Sequence, residues 1–400
     1  MIEQIDTNKL STIEKIYEFI LCLYIVIIPI VNSLKDMTVF GYGIHIWIIL
    51  FLLAMTVVIN LLTPFSNKSR IGYAMLVLGL FFLEMVLQWV RREPFEIGLV
   101  LLVFLYIAFL KIPKKMSLKK INMSFYLAAI IAAIYSMTYG IVLGEILRTA
   151  TKVDGSISIV VILIIFWGKE PFNKTGGYEL LKKIAMVSCF VVAGFGMSRS
   201  RLLILVVIVF LKLFLTIKNS FKTAKIKTQT LALLMVAIIM PFFVSQLEIT
   251  QNLFDAISTR FEVGFESLGR DDEIKLGLKY FSESPIFGYG WGQILFTNHQ
   301  NYISNYYNHS MYVAILARGG VVMGLAFLLS FVSIIKKAFK SRNFFCLISL
   351  AVFFALGYGN AGIFNYTICG MMISIALNLN NSDTILEEQY GHNIHTKGNS

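Results

Sequence analysis

The chain has 400 residues, 57% of them hydrophobic and 14% charged, with a formal net charge of +12. So few charges cannot solvate a soluble domain, and apolar runs of about 20 residues recur from end to end, so the composition excludes a soluble enzyme and predicts an all-α polytopic membrane protein. The runs are continuous rather than alternating, which excludes a β-barrel, and the positive charge lies in short segments between them, which excludes a nucleic-acid binder.

In chain order, hydropathy predicts about twelve spans: 16–34, 44–62, 71–90, 95–112, 121–143, 155–167, 180–196, 201–217, 229–247, 309–335, 342–356 and 361–379. The first follows a polar segment without a small-residue cleavage site and is read as a retained helix. The sixth has the shortest apolar core. Cys22, Cys189, Cys346 and Cys369 all fall inside apolar runs and have neither disulfide nor metal spacing. The domain reading is a membrane domain over 1–247, an extracytoplasmic loop over 248–308, C-terminal membrane helices over 309–380 and a polar tail over 381–400 with the composition of disorder.

With the N-terminus in the cytoplasm, cytoplasmic segments carry 23 of the 35 basic residues and the opposite face 11, with Arg318 inside a span. This asymmetry places the long loop outside. Arginine and lysine also separate. Seven of the ten arginines lie on the outer face, at Arg91, Arg92, Arg148, Arg199, Arg201, Arg260 and Arg270. The positive-inside rule treats the two cations alike, so it does not account for this. Arginine binds phosphate oxygens bidentately, and its excess points to an anionic, phosphate-bearing ligand at the outer surface. Arg91 and Arg92 are read as reaching lipid headgroups. Arg199 and Arg201, in a very short turn between two spans, are read as functional.

The long loop opens with Leu253, Ile257 and Phe261 at helical spacing, predicting a short amphipathic helix. Asp271, Asp272 and Glu273 then start a second helix, with Ile274, Leu278 and Phe281 on one face and Pro285 beyond its end. The acidic triplet reads as a helix start rather than a metal site. The run Gly288-Tyr289-Gly290-Trp291-Gly292 lacks the spacing and context of a dinucleotide fingerprint. It predicts a turn whose glycines let backbone approach a ligand. Tyr289, Trp291, Tyr302, Tyr306 and Tyr307 fit two readings, stacking on sugar rings or an interfacial aromatic belt.

His309 opens the tenth span between Asn308 and Ser310. An imidazole there can take a proton from a substrate hydroxyl near neutral pH, or simply cap a helix. Glu84 and Arg318 fall deeper, in the third and tenth spans, where charges face a partner or a water-filled cavity.

Three features resemble the O-antigen polymerase and O-antigen ligase superfamily of membrane glycosyltransferases. A helix ends in Ser198-Arg199-Ser200-Arg201 and another follows at once. An outer loop carries Arg260 and Arg270 ahead of a Pro-x-x-Gly-x-Gly-x-Gly turn at 285–292, and His309 opens a span with Gly320 and Gly324 behind it. The family often has His-Asn where this chain has His309-Ser310.

The resemblance implies a GT-C-like helical fold in the bacterial cytoplasmic (inner) membrane. It also implies a polyprenyl-pyrophosphate-linked oligosaccharide substrate, handled at the outer face without metal or cofactor, with inversion at the anomeric carbon. His309 fits the catalytic base. Arg199, Arg201, Arg260 and Arg270 fit the pyrophosphate, and Tyr289, Trp291, Tyr306 and Tyr307 fit the glycan. Further partners are membrane lipid and a chain-length regulator protein, with no nucleic acid. The preferred activity is polymerisation of lipid-linked repeats into an O-antigen or capsule. The alternatives are transfer of the finished glycan to a lipid A core and a lipid-oligosaccharide flippase. A flippase is expected to show related halves, and no internal repeat is evident.

Overall fold

A computed structural model describes residues 12–29, 38–39, 42–43, 47, 48, 50, 51, 54, 55, 58, 68–91, 101–110, 118–138, 155–168, 171, 175–196, 199–223, 270–290, 310–359 and 368–377. Among them are eleven helices and one small hairpin, and residues 47, 48, 50, 51, 54, 55 and 58 are helical as well. The helices are α1 (Thr12–Ile27), α2 (Lys68–Arg91), α3 (Leu101–Phe109), α4 (Leu118–Met137), α5 (Ser156–Trp167), α6 (Gly176–Gly196), α7 (Arg199–Thr223), α8 (Arg270–Glu283), α9 (Met311–Lys340), α10 (Phe344–Gly359) and α11 (Ile368–Leu377). The strands Thr38–Val39 and Tyr42–Gly43 pair antiparallel. The predicted span 229–247, the first loop helix and the 381–400 tail lie outside the described residues.

By length and composition, Leu118–Met137 and Met311–Lys340 suffice to cross a membrane, and shorter apolar helices accompany them among the described residues. The side chains agree with a lipid solvent. Along α7, Leu203, Val206, Val207, Phe210 and Phe214 form one exposed face, while Leu205 and Ile208 opposite are buried. In water such a face would drive association; hydrocarbon accepts it.

Inside, α6 runs along α4, and α5 packs on α6 and α7. Some polar groups in this interior meet one another. Tyr126 and Tyr178 share a hydroxyl contact at 3.2 Å, and the Asn122 amide donates to the Tyr178 oxygen at 3.3 Å. Unmatched, each such group would be costly where no water reaches. A second knot joins α3, α9 and α10 through the rings of Phe104, Phe327, Phe331, Phe353 and Phe354, at centroid distances of 5.1–6.4 Å. Asn343 caps α10 by accepting the Cys346 N–H at 3.0 Å, and its amide donates to the Ala376 carbonyl of α11 at 2.9 Å.

The predicted tenth span, 309–335, needs correction. Gly320 sits inside α9 with φ 64° and ψ −164°, a backbone state essentially reserved to glycine. The helix folds sharply there. In a straight helix Leu316 and Gly324 would stand about 12 Å apart. Here a Cβ on Gly324 would lie 3.2 Å from the Leu316 Cδ2 atom. Tyr312 and Phe327, about 22 Å apart in a straight helix, both reach Phe354: the Tyr312 hydroxyl donates to its carbonyl at 2.7 Å, and Phe327 meets its ring. The span is therefore the long arm, 321–340, whose length of about 30 Å matches a bilayer core. The short arm, 311–319, returns into the protein beside α10, with Met311 against Gly357. Hydropathy could not separate the arms, because the short one is apolar for burial in protein and the long one for burial in lipid and protein.

Candidate functional site

The break in α9 is filled by another part of the chain. In an unbroken helix the Val321 and Val322 N–H groups would donate to the Ala317 and Arg318 carbonyls. Instead Val321 donates to the Pro285 carbonyl at 2.8 Å and Val322 to the Ile286 carbonyl at 3.2 Å. The two released carbonyls accept from the 285–290 turn: Ala317 from the Tyr289 N–H at 2.9 Å, Arg318 from the Gly290 N–H at 2.8 Å. These four groups released by the break are thus satisfied, as burial in a membrane protein requires.

The turn is tailored to this seat. Gly288 has φ 63° and Gly290 φ 95°. A Cβ on Gly288 would strike the Arg318 backbone, and one on Gly320 the Ile286 carbonyl. Sequence spacing assigned the close approach of these glycines to a ligand; for Gly288 the partner is α9. The Ser284 hydroxyl donates to the Gly288 carbonyl at 2.9 Å and closes the turn. Leu276 and Tyr280 of α8, with Tyr289, pack against buried Ala317, so α8 rests on the break.

Tyr289 faces this packing. Its ring meets Tyr280 edge-on at 5.0 Å, and its hydroxyl donates to Glu283 at 2.6 Å. The Glu283 carboxylate, accepting that proton, holds the phenol above its ordinary range. Lys279 stands 3.9 Å from the same carboxylate, one helical turn back.

Arg91 ends α2 and donates from its guanidinium to the Phe287 carbonyl at 3.3 Å. The sequence reading sent this side chain to lipid headgroups; the structure attaches it to the turn. Among the described residues no carboxylate pairs with it. Arg318, expected within a span, lies instead at the break and is 2% exposed. The sequence signal for this junction was the Arg318-Gly319-Gly320 run inside an apolar stretch.

Arg199 and Arg201 fall in the first turn of α7. Arg201 is 7% exposed, which removes lipid headgroups as its resting place and leaves it inside the protein. Helix α7 packs on α10, the helix that also seats Met311. Arg270 is the first residue of α8, and Asp271, Asp272 and Glu273 fill the rest of its first turn, as the sequence predicts. Glu84 lies within α2. Arg260, Trp291, Tyr302, Tyr306, Tyr307 and His309 lie outside the described residues. The neighbour of His309, Ser310, is the residue before the first turn of the short arm and is buried.

Residues 184–329 match the family model described as O-antigen ligase. The match runs from within α6 through the arginine turn, the loop, α8 and the break in α9. No curated protein matches the chain.

Proposed function

We propose that the chain joins polyprenyl-pyrophosphate-linked oligosaccharide repeats into a surface polysaccharide, a reading that the match of residues 184–329 to the O-antigen ligase family model supports. The observation that supports this best is Arg201, an arginine buried at the start of a membrane helix within the matched segment. The planar fork of a guanidinium held at that position suits the oxygens of a pyrophosphate, which it can bind bidentately.

In this reading the side of the membrane that carries α8 faces the periplasm or exterior. The acceptor hydroxyl oxygen attacks the anomeric carbon of the donor from the face opposite the pyrophosphate, which inverts that centre. The carbon–oxygen bond to the pyrophosphate breaks, and its electron pair leaves on the phosphate oxygen. His309 takes the hydroxyl proton as the new bond forms. Arg199, Arg201, Arg260 and Arg270 bind the charge on the departing pyrophosphate. Trp291, Tyr306 and Tyr307 stack on the glycan, and Tyr289 contributes the exposed edge of a ring already braced by Tyr280. No metal enters the scheme. A chain-length regulator would act on the same product.

The description of the family model favours a second reading, ligation of a finished glycan to a lipid A core. The two part on the product left after deletion in a lipopolysaccharide-making host. Loss of a polymerase leaves core bearing one repeat and no ladder, which is the result expected here. A bare core with polymer stranded on its carrier establishes the ligase instead.

A further inference from the structure

The turn that joins α9 to α10 lies at the far end of the long arm, about 30 Å from the break and so, by the thickness of a bilayer core, at the opposite membrane surface. We propose that this turn binds the phosphate of an anionic phospholipid, with Arg342 as the main contact and Lys336 and Lys340 beside it.

The backbone gives the first observation. The Arg342 N–H donates to the Phe339 carbonyl at 3.1 Å and the Asn343 N–H to the Ala338 carbonyl at 2.8 Å, the paired bonds that close a helix on a left-handed residue. That residue is Arg342, at φ 51°. Glycine is its usual occupant, and the other positive-φ positions among the described residues, Gly288, Gly290 and Gly320, all hold glycine. An arginine there costs stability, which points to a use for its side chain. The seat is also rigid. Asn343 is buried, accepts the Cys346 N–H at 3.0 Å and donates to the Ala376 carbonyl of α11 at 2.9 Å, and the Ser341 hydroxyl donates to the Lys337 carbonyl at 2.9 Å. Finally, the surface is basic and uncompensated. Lys336, Lys340 and Arg342 are exposed, residues 336–344 include no Asp or Glu, and among the described residues no carboxylate pairs with these three cations. Phe339 and Phe344, each 65% exposed, flank the turn. Sorting of basic residues between membrane faces asks only for charge, in any backbone state, so it does not account for a left-handed arginine. A phospholipid does. Its phosphate oxygens suit the planar guanidinium, the lysines add charge, and its acyl chains meet the exposed rings. An anionic bilayer surface strengthens binding about fivefold for each such cation.

The test uses the full chain in nanodiscs of phosphatidylcholine alone and of an equal mixture with phosphatidylglycerol, and reads the melting midpoint. The wild type is expected to melt higher in the mixture. In Arg342→Gly the relief of left-handed strain offsets the added backbone freedom, so its midpoint in phosphatidylcholine should stay within about 2 °C of wild type. It should nevertheless lose at least about half of the gain that phosphatidylglycerol gives. Arg342→Asn, which also tolerates the left-handed state, repeats the comparison where glycine loosens the turn. The pair Lys336→Ala and Lys340→Ala should lose a smaller part of the gain. Lys119→Ala, a basic residue at the start of α4, should keep it. A wild type that gains nothing from phosphatidylglycerol overturns the site. So does a full gain in Arg342→Gly and Arg342→Asn, which leaves Arg342 a tolerated strain. A loss in Lys119→Ala equal to that in Arg342→Gly overturns it as well, since the attraction is then spread over every basic residue.

Discussion

Helices α4 and α6 and the broken helix α9 solve the same problem in opposite ways. Helices α4 and α6 run unbroken, and side chains such as Tyr126 and Tyr178 do the joining. In α9 the backbone opens, and a turn from the polar loop closes it. The first arrangement tolerates sliding and repacking, because the contacts are rings and hydroxyls with some freedom. The second tolerates neither, because its contacts are amides and carbonyls at fixed spacing. The rigid arrangement falls within the segment that matches the family model, and the Tyr126–Tyr178 contact falls outside it.

Variants can break or sharpen this contrast. The largest effect is expected from His309→Gln, which keeps a hydrogen-bonding side chain but no base near neutral pH and should lower transfer by about 10²–10⁴-fold. Single-turnover rates on lipid-linked repeats measure it, and near-normal rates would return His309 to a capping role. Next comes Arg201→Lys. It keeps the charge but loses the planar fork, at an expected cost of about 2–4 kcal/mol in the transition state. Steady-state kinetics at matched protein level decide it, and full activity would leave Arg201 a structural cation. Gly288→Ala should follow, with a loss of thermal stability of about 1–3 kcal/mol from the strained φ and the clash with Arg318. The matching scaffold change, Tyr126→Phe, removes only the hydroxyl contact with Tyr178, which keeps its bond from Asn122, and should cost about 1 kcal/mol. If melting curves rank these two the other way, the contrast between rigid junction and adaptable scaffold fails. The smallest effect is expected for Tyr289→Phe, which gives up the bond to Glu283 at an exposed site and keeps the ring. Transfer should stay within about twofold of wild type by the same assay.

Much of the scaffold was legible because hydropathy reports burial in lipid. The runs predicted at 71–90, 180–196, 201–217 and 342–356 reappear as α2, α6, α7 and α10. The second loop helix was legible from its acidic start and Pro285 stop. Arg201 stood out in the sequence by its place in a very short turn between spans, and the structure buries it in the first turn of α7. The junction was not legible. Hydropathy averages over side chains and is blind to φ, so the apolar run through Gly320 reads as one helix. Nor could composition show that Arg91 would find the Phe287 carbonyl, 196 positions away in sequence, rather than a headgroup. What marked the site was a conflict within the sequence, a charge and two glycines at Arg318-Gly319-Gly320 where an uninterrupted span had no use for them.

Pinning Gly290 to Arg318 at 2.8 Å also has a consequence for how the protein can diversify. The chain between these two residues leaves from and returns to one fixed seam, so it is a closed excursion whose ends do not depend on its length. The entropy of such an excursion grows slowly, about 0.6 kcal/mol for each doubling of its length. Insertions, deletions or wholesale exchange ahead of the short arm therefore leave the seam and the spans behind it undisturbed. An engineer can therefore graft such an excursion from another chain that carries the same paired glycines.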